Sequence, residues 1–258
     1  MYNQGKNIMI KMIGKGIRFI LLGEKYMQQE LCVIIHGFTG NPFEVKPLAD
    51  ALEQAGYEVI TPLLPGHTEN NERMENIAAA EWLQMVEEIV KQAVKENKKI
   101  HMMGFSMGAM IASIMAYRIK LSTLVLLSPA VYVVTPNLLK IRLENLFQSK
   151  KGNRSPEYQT MCKSPYILRS TSIYNLWQFQ KVVRQARGIF HHLSVPLCII
   201  HGQRDETADP NSAKFIYHAA SSKDKELHYL PGSKHHICLD CEANTVIQIV
   251  LTFLKKYH

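Results

Sequence analysis

Gly104-Phe105-Ser106-Met107-Gly108 closes an apolar run that begins at Ile100, and a helical pattern of small residues (Ala109, Ile111, Ala112, Ala116) follows it. Glycine on both sides is what a serine needs on a very tight strand-to-helix turn. A side chain at Gly104 or Gly108 would collide with the neighbouring strand or helix, and the serine's own backbone would be strained. Such a turn lifts the Ser106 hydroxyl off the C-terminal edge of the strand and aims the Met107 N–H at whatever the serine attacks. The chemistry on offer is nucleophilic catalysis. A five-residue pattern with three fixed positions also recurs by chance in ordinary βα turns, so the rest of the chain must supply the partners.

A serine hydroxyl is a poor nucleophile near neutral pH and needs a base, usually a histidine oriented by a carboxylate. The run Leu197-Cys198-Ile199-Ile200 leads directly into His201-Gly202-Gln203-Arg204-Asp205, which places Asp205 at a strand end. Leu230-Pro231-Gly232-Ser233-Lys234-His235-His236 follows the last strand-like run and places a histidine, His235 or His236, on the same edge. Acyl transfer also needs two preorganised donors for the oxyanion. Met107 is one, and the loop His36-Gly37-Phe38-Thr39-Gly40 offers the Phe38 N–H as the other. Asp209 is a second possible acid, but its place before Pro210 at a helix start reads as an N-cap. His67 in Pro65-Gly66-His67 reads as a loop-ordering residue. His235, His236, Cys238 and Cys241 match no familiar zinc spacing, so no metal is expected. No dinucleotide or phosphate-loop glycine pattern occurs, so no cofactor is expected.

The elements that must carry these residues follow an alternating rhythm. Residues 8–22 suggest a leading hairpin around Gly14 and Gly16. Continuous apolar runs at 31–35, 57–61, 100–105, 121–127 and 195–200, with 226–230 as the last strand, read as buried parallel strands. Helical spacing appears at 45–55, 77–96, 109–116, 210–220 and 242–257. The rhythm breaks after Ser128-Pro129. Residues 131–190 show basic, aromatic and helical segments, with Ile173, Leu176, Trp177 and Val183 marking one amphipathic helix. The fold class expected is α/β, a mostly parallel central sheet flanked by helices. Its core is built from residues 1–130 and 191–258, with a small helical cap from 131–190 inserted after the strand ending near Leu127.

The chain has 258 residues, is 47% apolar and carries a net charge of +8. Between Val131 and Val195 ten Lys and Arg face only Glu144 and Glu157, so the excess is confined to the insertion. That makes the cap a candidate for weak contact with an anionic lipid surface, although a solvated helical face explains it as well. No nucleic-acid partner is expected. The apolar run Phe19 to Leu22 is too short for a signal-peptide core. The five scattered cysteines read as free thiols of a cytoplasmic protein.

The loop His36-Gly37-Phe38-Thr39-Gly40, the Ser106 turn, the run Asp205 to Ala213, and Ser233-Lys234-His235-His236-Ile237-Cys238-Leu239-Asp240 resemble the small bacterial carboxylesterases related to monoacylglycerol lipases, within the α/β-hydrolases. The likeness spans about residues 30 to 258. It implies Ser106 as nucleophile, Asp205 as acid and His235 as base, with the Phe38 and Met107 N–H groups as the oxyanion hole. Lys234 stands where the family usually has glycine, and the Ile237-Cys238-Leu239-Asp240 register leaves His235 rather than His236 in the base position. The function it implies is a serine carboxylesterase acting on short- to medium-chain acyl esters, monoacylglycerols among them. The same triad also serves peptidases and acyltransferases. A binding protein on this fold is the remaining alternative. Tyr132, Tyr174 and Trp177 of the insertion are the candidates for a substrate pocket.

Overall fold

In a computed structural model, the chain is described at residues 8–13, 16–21, 29–68, 74–133 and 172–257. Strands β1 (Ile8–Ile13) and β2 (Gly16–Leu21) pair antiparallel, as the leading hairpin predicts. The remaining strands are β3 (Glu30–Ile35), β4 (Glu58–Ile60), β5 (Lys99–Phe105), β6 (Thr123–Leu127), β7 (Leu197–Gly202) and β8 (Lys225–Leu230). They form one parallel sheet in the order β4-β3-β5-β6-β7-β8. The helices between them are α1 (Lys46–Gln54), α2 (Ala79–Lys95), α3 (Met107–Arg118), α4 (Ile173–Ile189), α5 (Asn211–Ala219) and α6 (Ala243–Lys255).

Strand residues alternate between two apolar layers, although most positions in the central strands are apolar. Leu31, Val33, Ile35, Met102, Leu124, Leu126, Leu197 and Ile199 face α2, α3, α4 and α5. Cys32, Ile34, Met103, Phe105, Val125, Leu127, Cys198 and Ile200 face α1 and α6. A strand covered on both sides by helices has no polar face to show, which is why these runs read as continuous. Helix α3 goes further. Every residue from Met107 to Met115 is buried, so it is apolar all round, as befits a central helix.

The C-terminal part of segment 131–190 is helix α4, and its contacts are with the core. Phe179, Val182, Val183 and Ala186 are buried against the α2–α3 layer. The helix was legible from Ile173, Leu176, Trp177 and Val183, but of these only Val183 lies on its buried face. Ile173 is 86% exposed and Trp177 50%. Residues 134–171, most of the expected cap, lie outside the described residues. Cys32, Cys198 and Cys238 are buried free thiols, and Cys241 is exposed; burial pushes the Cys238 thiol up to about 12.

Candidate active site

The turn at Ser106 has the geometry that its flanking glycines predict. Ser106 sits at φ 56° and ψ −113°, a conformation that costs an L-residue about 1–3 kcal/mol and persists only when its surroundings enforce it. They do. A Cβ at Gly104 would lie 2.1 Å from the Gly108 carbonyl oxygen, and one at Gly108 would lie 2.2 Å from that of Ile35. The second contact means that the start of α3 is pressed against the end of β3, where the loop 36–40 begins.

Three parallel strands deliver three side chains to this edge. Ser106 follows β5, Asp205 follows β7 and His235 follows β8. The Ser106 hydroxyl lies 3.0 Å from His235 Nε2, and His235 Nδ1 lies 2.7 Å from Asp205 Oδ2. With Nδ1–H donating to the carboxylate, Nε2 is left to accept the serine proton. Asp205 Oδ1 accepts the Thr207 and Ala208 N–H groups at 2.8 and 2.9 Å. His201 Nε2 lies 3.1 Å from Asp205 Oδ2 and 3.2 Å from the Ala208 carbonyl. Burial alone would raise the Asp205 carboxyl. The charge of His235 and the hydrogen bonds from His201 and His235 outweigh it and hold the group far below the usual carboxylate range. His235 is further held from behind, where Ser128 Oγ donates to its carbonyl at 2.9 Å.

The loop after β3 is clamped on both sides of Phe38. The Gly37 N–H donates to Glu44 Oε2 at 2.8 Å, and the Thr39 N–H to His67 Nε2 at 3.2 Å. His36 Nε2 accepts the Leu64 N–H at 3.1 Å, while its Nδ1–H donates to the Gly37 carbonyl at 2.8 Å. The Phe38 and Met107 N–H groups have no internal acceptor among the described residues. Two free N–H groups beside a serine held by an imidazole can receive an oxyanion.

His67 contributes to this loop as a neutral acceptor, and burial lowers its pKa to about 4. Its ordinary unfolded value is near 6.5, so the stability it provides is intact above about pH 6.5 and is lost as pH falls toward 4. The loss is expected to reach roughly 3 kcal/mol. Thermal melts of wild type and His67→Gln between pH 7 and 4 check this. The stability difference between the two should shrink on acidification, and parallel curves would refute it.

The residues read as a pocket have these surroundings. Tyr132 packs on Phe215 and lines a surface depression with Lys214 and His218. Tyr174 and Trp177 face outward from α4, with Lys181 Nζ 3.6 Å above the Trp177 ring. Phe38 instead stacks on Phe179 at 5.0 Å, beside Trp82. His236 faces Glu44 rather than Ser106, at 3.3 Å. Asp209 Oδ1 accepts the Asn211 N–H at 2.8 Å, capping α5 as its position before Pro210 suggests.

Glu44, His201 and Ser128 are parts of this edge that motif reading passes over. A signal for Glu44 existed. It lies four and eight residues before Leu48 and Leu52, on the apolar stripe of the helical pattern that follows, which marks it as a buried acid.

A sequence model of the family described as serine aminopeptidase, S33, matches residues 27–242. The chain belongs to that family. It is an α/β-hydrolase, as the resemblance of its loops implied. Among curated relatives, a thermostable monoacylglycerol lipase of Bacillus sp. (strain H-257) is 26% identical over 87% of this chain and 90% of its own length. A carboxylesterase of Bacillus subtilis (strain 168) is 22% identical over 87% of this chain and 92% of its own. Among solved structures, the monoacylglycerol lipase of Paleococcus ferrophilus superposes with a TM-score of 0.72 at 17% identity, over 90% of this chain and 97% of that one. The hydrolase's relatives are thus of the esterase and lipase type. No described helix is long and apolar enough to cross a membrane.

Proposed function

We propose that this hydrolase is a serine carboxylesterase that cleaves short- to medium-chain acyl esters, with Ser106 as nucleophile, His235 as general base and Asp205 as its orienting acid. The observation that carries the reading is the unbroken chain from Ser106 Oγ through His235 to Asp205 Oδ2, beside two free N–H groups. His235 Nε2 takes the serine proton as Oγ attacks the ester carbonyl carbon. The carbonyl oxygen becomes an oxyanion held by the Phe38 and Met107 N–H groups. Collapse expels the alcohol, which leaves with the proton from His235. Water then attacks the acyl-enzyme by the same steps and frees the acid and the serine.

An ester is favoured over an aminoacyl amide because the buried carboxylates at this edge are already engaged. Among the described residues Asp205 and Glu44 are the buried carboxylates at this edge, and every one of their oxygens already faces an internal donor. The Phe38–Phe179 ring pair supplies an apolar wall beside the oxyanion loop. Tyr132, Tyr174 and Trp177 belong to the proposal as outlying pocket residues, and residues 134–171 as the bulk of a cap whose basic excess meets anionic lipid weakly. The free cysteines support a cytoplasmic setting. Turnover of p-nitrophenyl esters from acetate to laurate, beside aminoacyl p-nitroanilides, tests this. The kcat/KM is expected to rise from acetate by up to about 0.8 kcal/mol per methylene buried against that wall and to peak at about four to ten carbons. It should exceed that for the anilides by at least about 100-fold. Preference for the anilides would overturn the ester reading.

A further inference from the structure

Glu44 is 6% exposed, on a short turn directly after the oxyanion loop. A carboxylate so placed is costly unless it is paired and hydrogen-bonded. Its two oxygens face two different parts of the site. Oε2 accepts the Gly37 N–H, and Oε1 meets His236 Nε2. The loop is built around it. A Cβ at Gly40 would lie 2.1 Å from the carboxylate, so glycine there admits the acid. His236 is the chain neighbour of His235, and the Phe105 ring lies against both imidazoles, at 4.9 and 5.3 Å. Two adjacent histidines therefore reach opposite ways, one to Asp205 and one to Glu44.

We propose that Glu44 and His236 are a positioning pair that ties the oxyanion loop to the loop of the base, holding the Phe38 N–H in register with Ser106. The proposal rests on the ester-hydrolase reading above. The Gly37 N–H, fixed by Glu44, sets the peptide immediately before the Phe38 N–H, so a shift of the carboxylate tilts that donor. Donors placed for the oxyanion act only when aimed where the charge develops, which makes this an effect on kcat rather than KM.

Charge supports the pair. Glu44, Asp205 and Asp240 face His236, and their effect outweighs burial and raises its pKa. Its other neighbours are the rings of His235 and Phe105. Glu44 also sees His36 and the Cys238 thiol. Burial would raise the Glu44 carboxyl, but the His236 hydrogen bond and charge bring it below its ordinary value. The contribution of the charged His236 is therefore complete below its ordinary value of about 6.5 and is lost as pH rises through its elevated value.

The test is kcat, KM and the pH profile on p-nitrophenyl butyrate, per titrated active site, for wild type, Ser106→Ala, Glu44→Leu, Glu44→Gln and His236→Gln. Glu44→Leu is expected to lower kcat by about 10- to 100-fold with KM within about twofold. Glu44→Gln, whose amide oxygen still accepts from Gly37, should stay within about threefold, and both Gln variants should lose the alkaline decline of wild type. A Glu44→Leu kcat within about threefold of wild type overturns the pair. Should that variant fail to fold, an alkaline decline unchanged in both Gln variants overturns it instead. An inert wild type would sink the ester reading itself, whereas an active wild type with a dead Ser106→Ala leaves that reading standing whatever Glu44 does.

Discussion

Ser106→Ala is expected to lose ester turnover by roughly 10⁴- to 10⁶-fold while melting within a degree or two of wild type. The Ser106 hydroxyl is the group that His235 Nε2 addresses, at 3.0 Å, and no acyl-enzyme can form without it. The residual rate would come from the two free N–H groups and from substrate binding, which the substitution leaves in place. Stability is spared because alanine keeps the Cβ and inherits the same strained backbone, at φ 56°. Burst kinetics with a p-nitrophenyl ester and intact-mass detection of phosphonate labelling check the claim together. A variant that keeps more than about 1% of wild-type kcat/KM, or that is still labelled, would remove Ser106 from its role.

Asp205→Asn is expected to cost both turnover and stability, and the pairing of the two losses is the informative part. The carboxylate is surrounded by donors. The Thr207 and Ala208 N–H groups point at Oδ1, and the His235 and His201 ring nitrogens at Oδ2. An asparagine must turn its NH₂ toward one pair or the other, so a buried donor meets a donor in either orientation. Turned toward His235, it favours the tautomer with the proton on Nε2, which cannot take the serine proton. A drop of about 10⁴ in kcat follows, with a stability loss of roughly 1–3 kcal/mol from the unsatisfied donors. The pH dependence has a definite sign. A carboxyl held below its ordinary value stabilises the fold above about pH 4, and the contribution disappears as pH falls through the depressed value. The variant should therefore lose part of the acid sensitivity of wild type. Kinetics and thermal melts from pH 8 to 3 measure both, and a variant with wild-type melting and more than a tenth of wild-type kcat would refute the assignment.

What the chain discloses on its face is tied to backbone demands. Gly104 and Gly108 announce the Ser106 turn because nothing larger fits there, and the parallel strands announce themselves because both faces are covered. The placement of Asp205 and His235 after β7 and β8 follows from the same edge logic. Side-chain partners across the sheet are harder to see. His236 is hydrogen-bonded to a residue 192 positions earlier in the chain, a pairing that no local pattern encodes. The outward turn of Tyr174 and Trp177 on α4 was equally hidden, since Asn175 and Gln178, polar in sequence, occupy the buried face. Asn175 Nδ2 donates to the Glu75 carbonyl and Gln178 Oε1 accepts the Ala79 N–H, which anchors both side chains inside although Asn175 Oδ1 is left without a hydrogen-bond partner among the described residues.

The parallel sheet also sets a timetable. Ser106 and His235 stand 129 positions apart, with Asp205 between them. A ribosome that has delivered the chain through β6 has made the strained serine and its turn, yet neither Asp205 nor His235 of the proposed triad. His235 comes after β8, the last strand of the sheet to be synthesised. On the proposed assignment, the nascent chain gains the means to cut an ester only when the strand that leads to His235 has found its place in a nearly whole sheet.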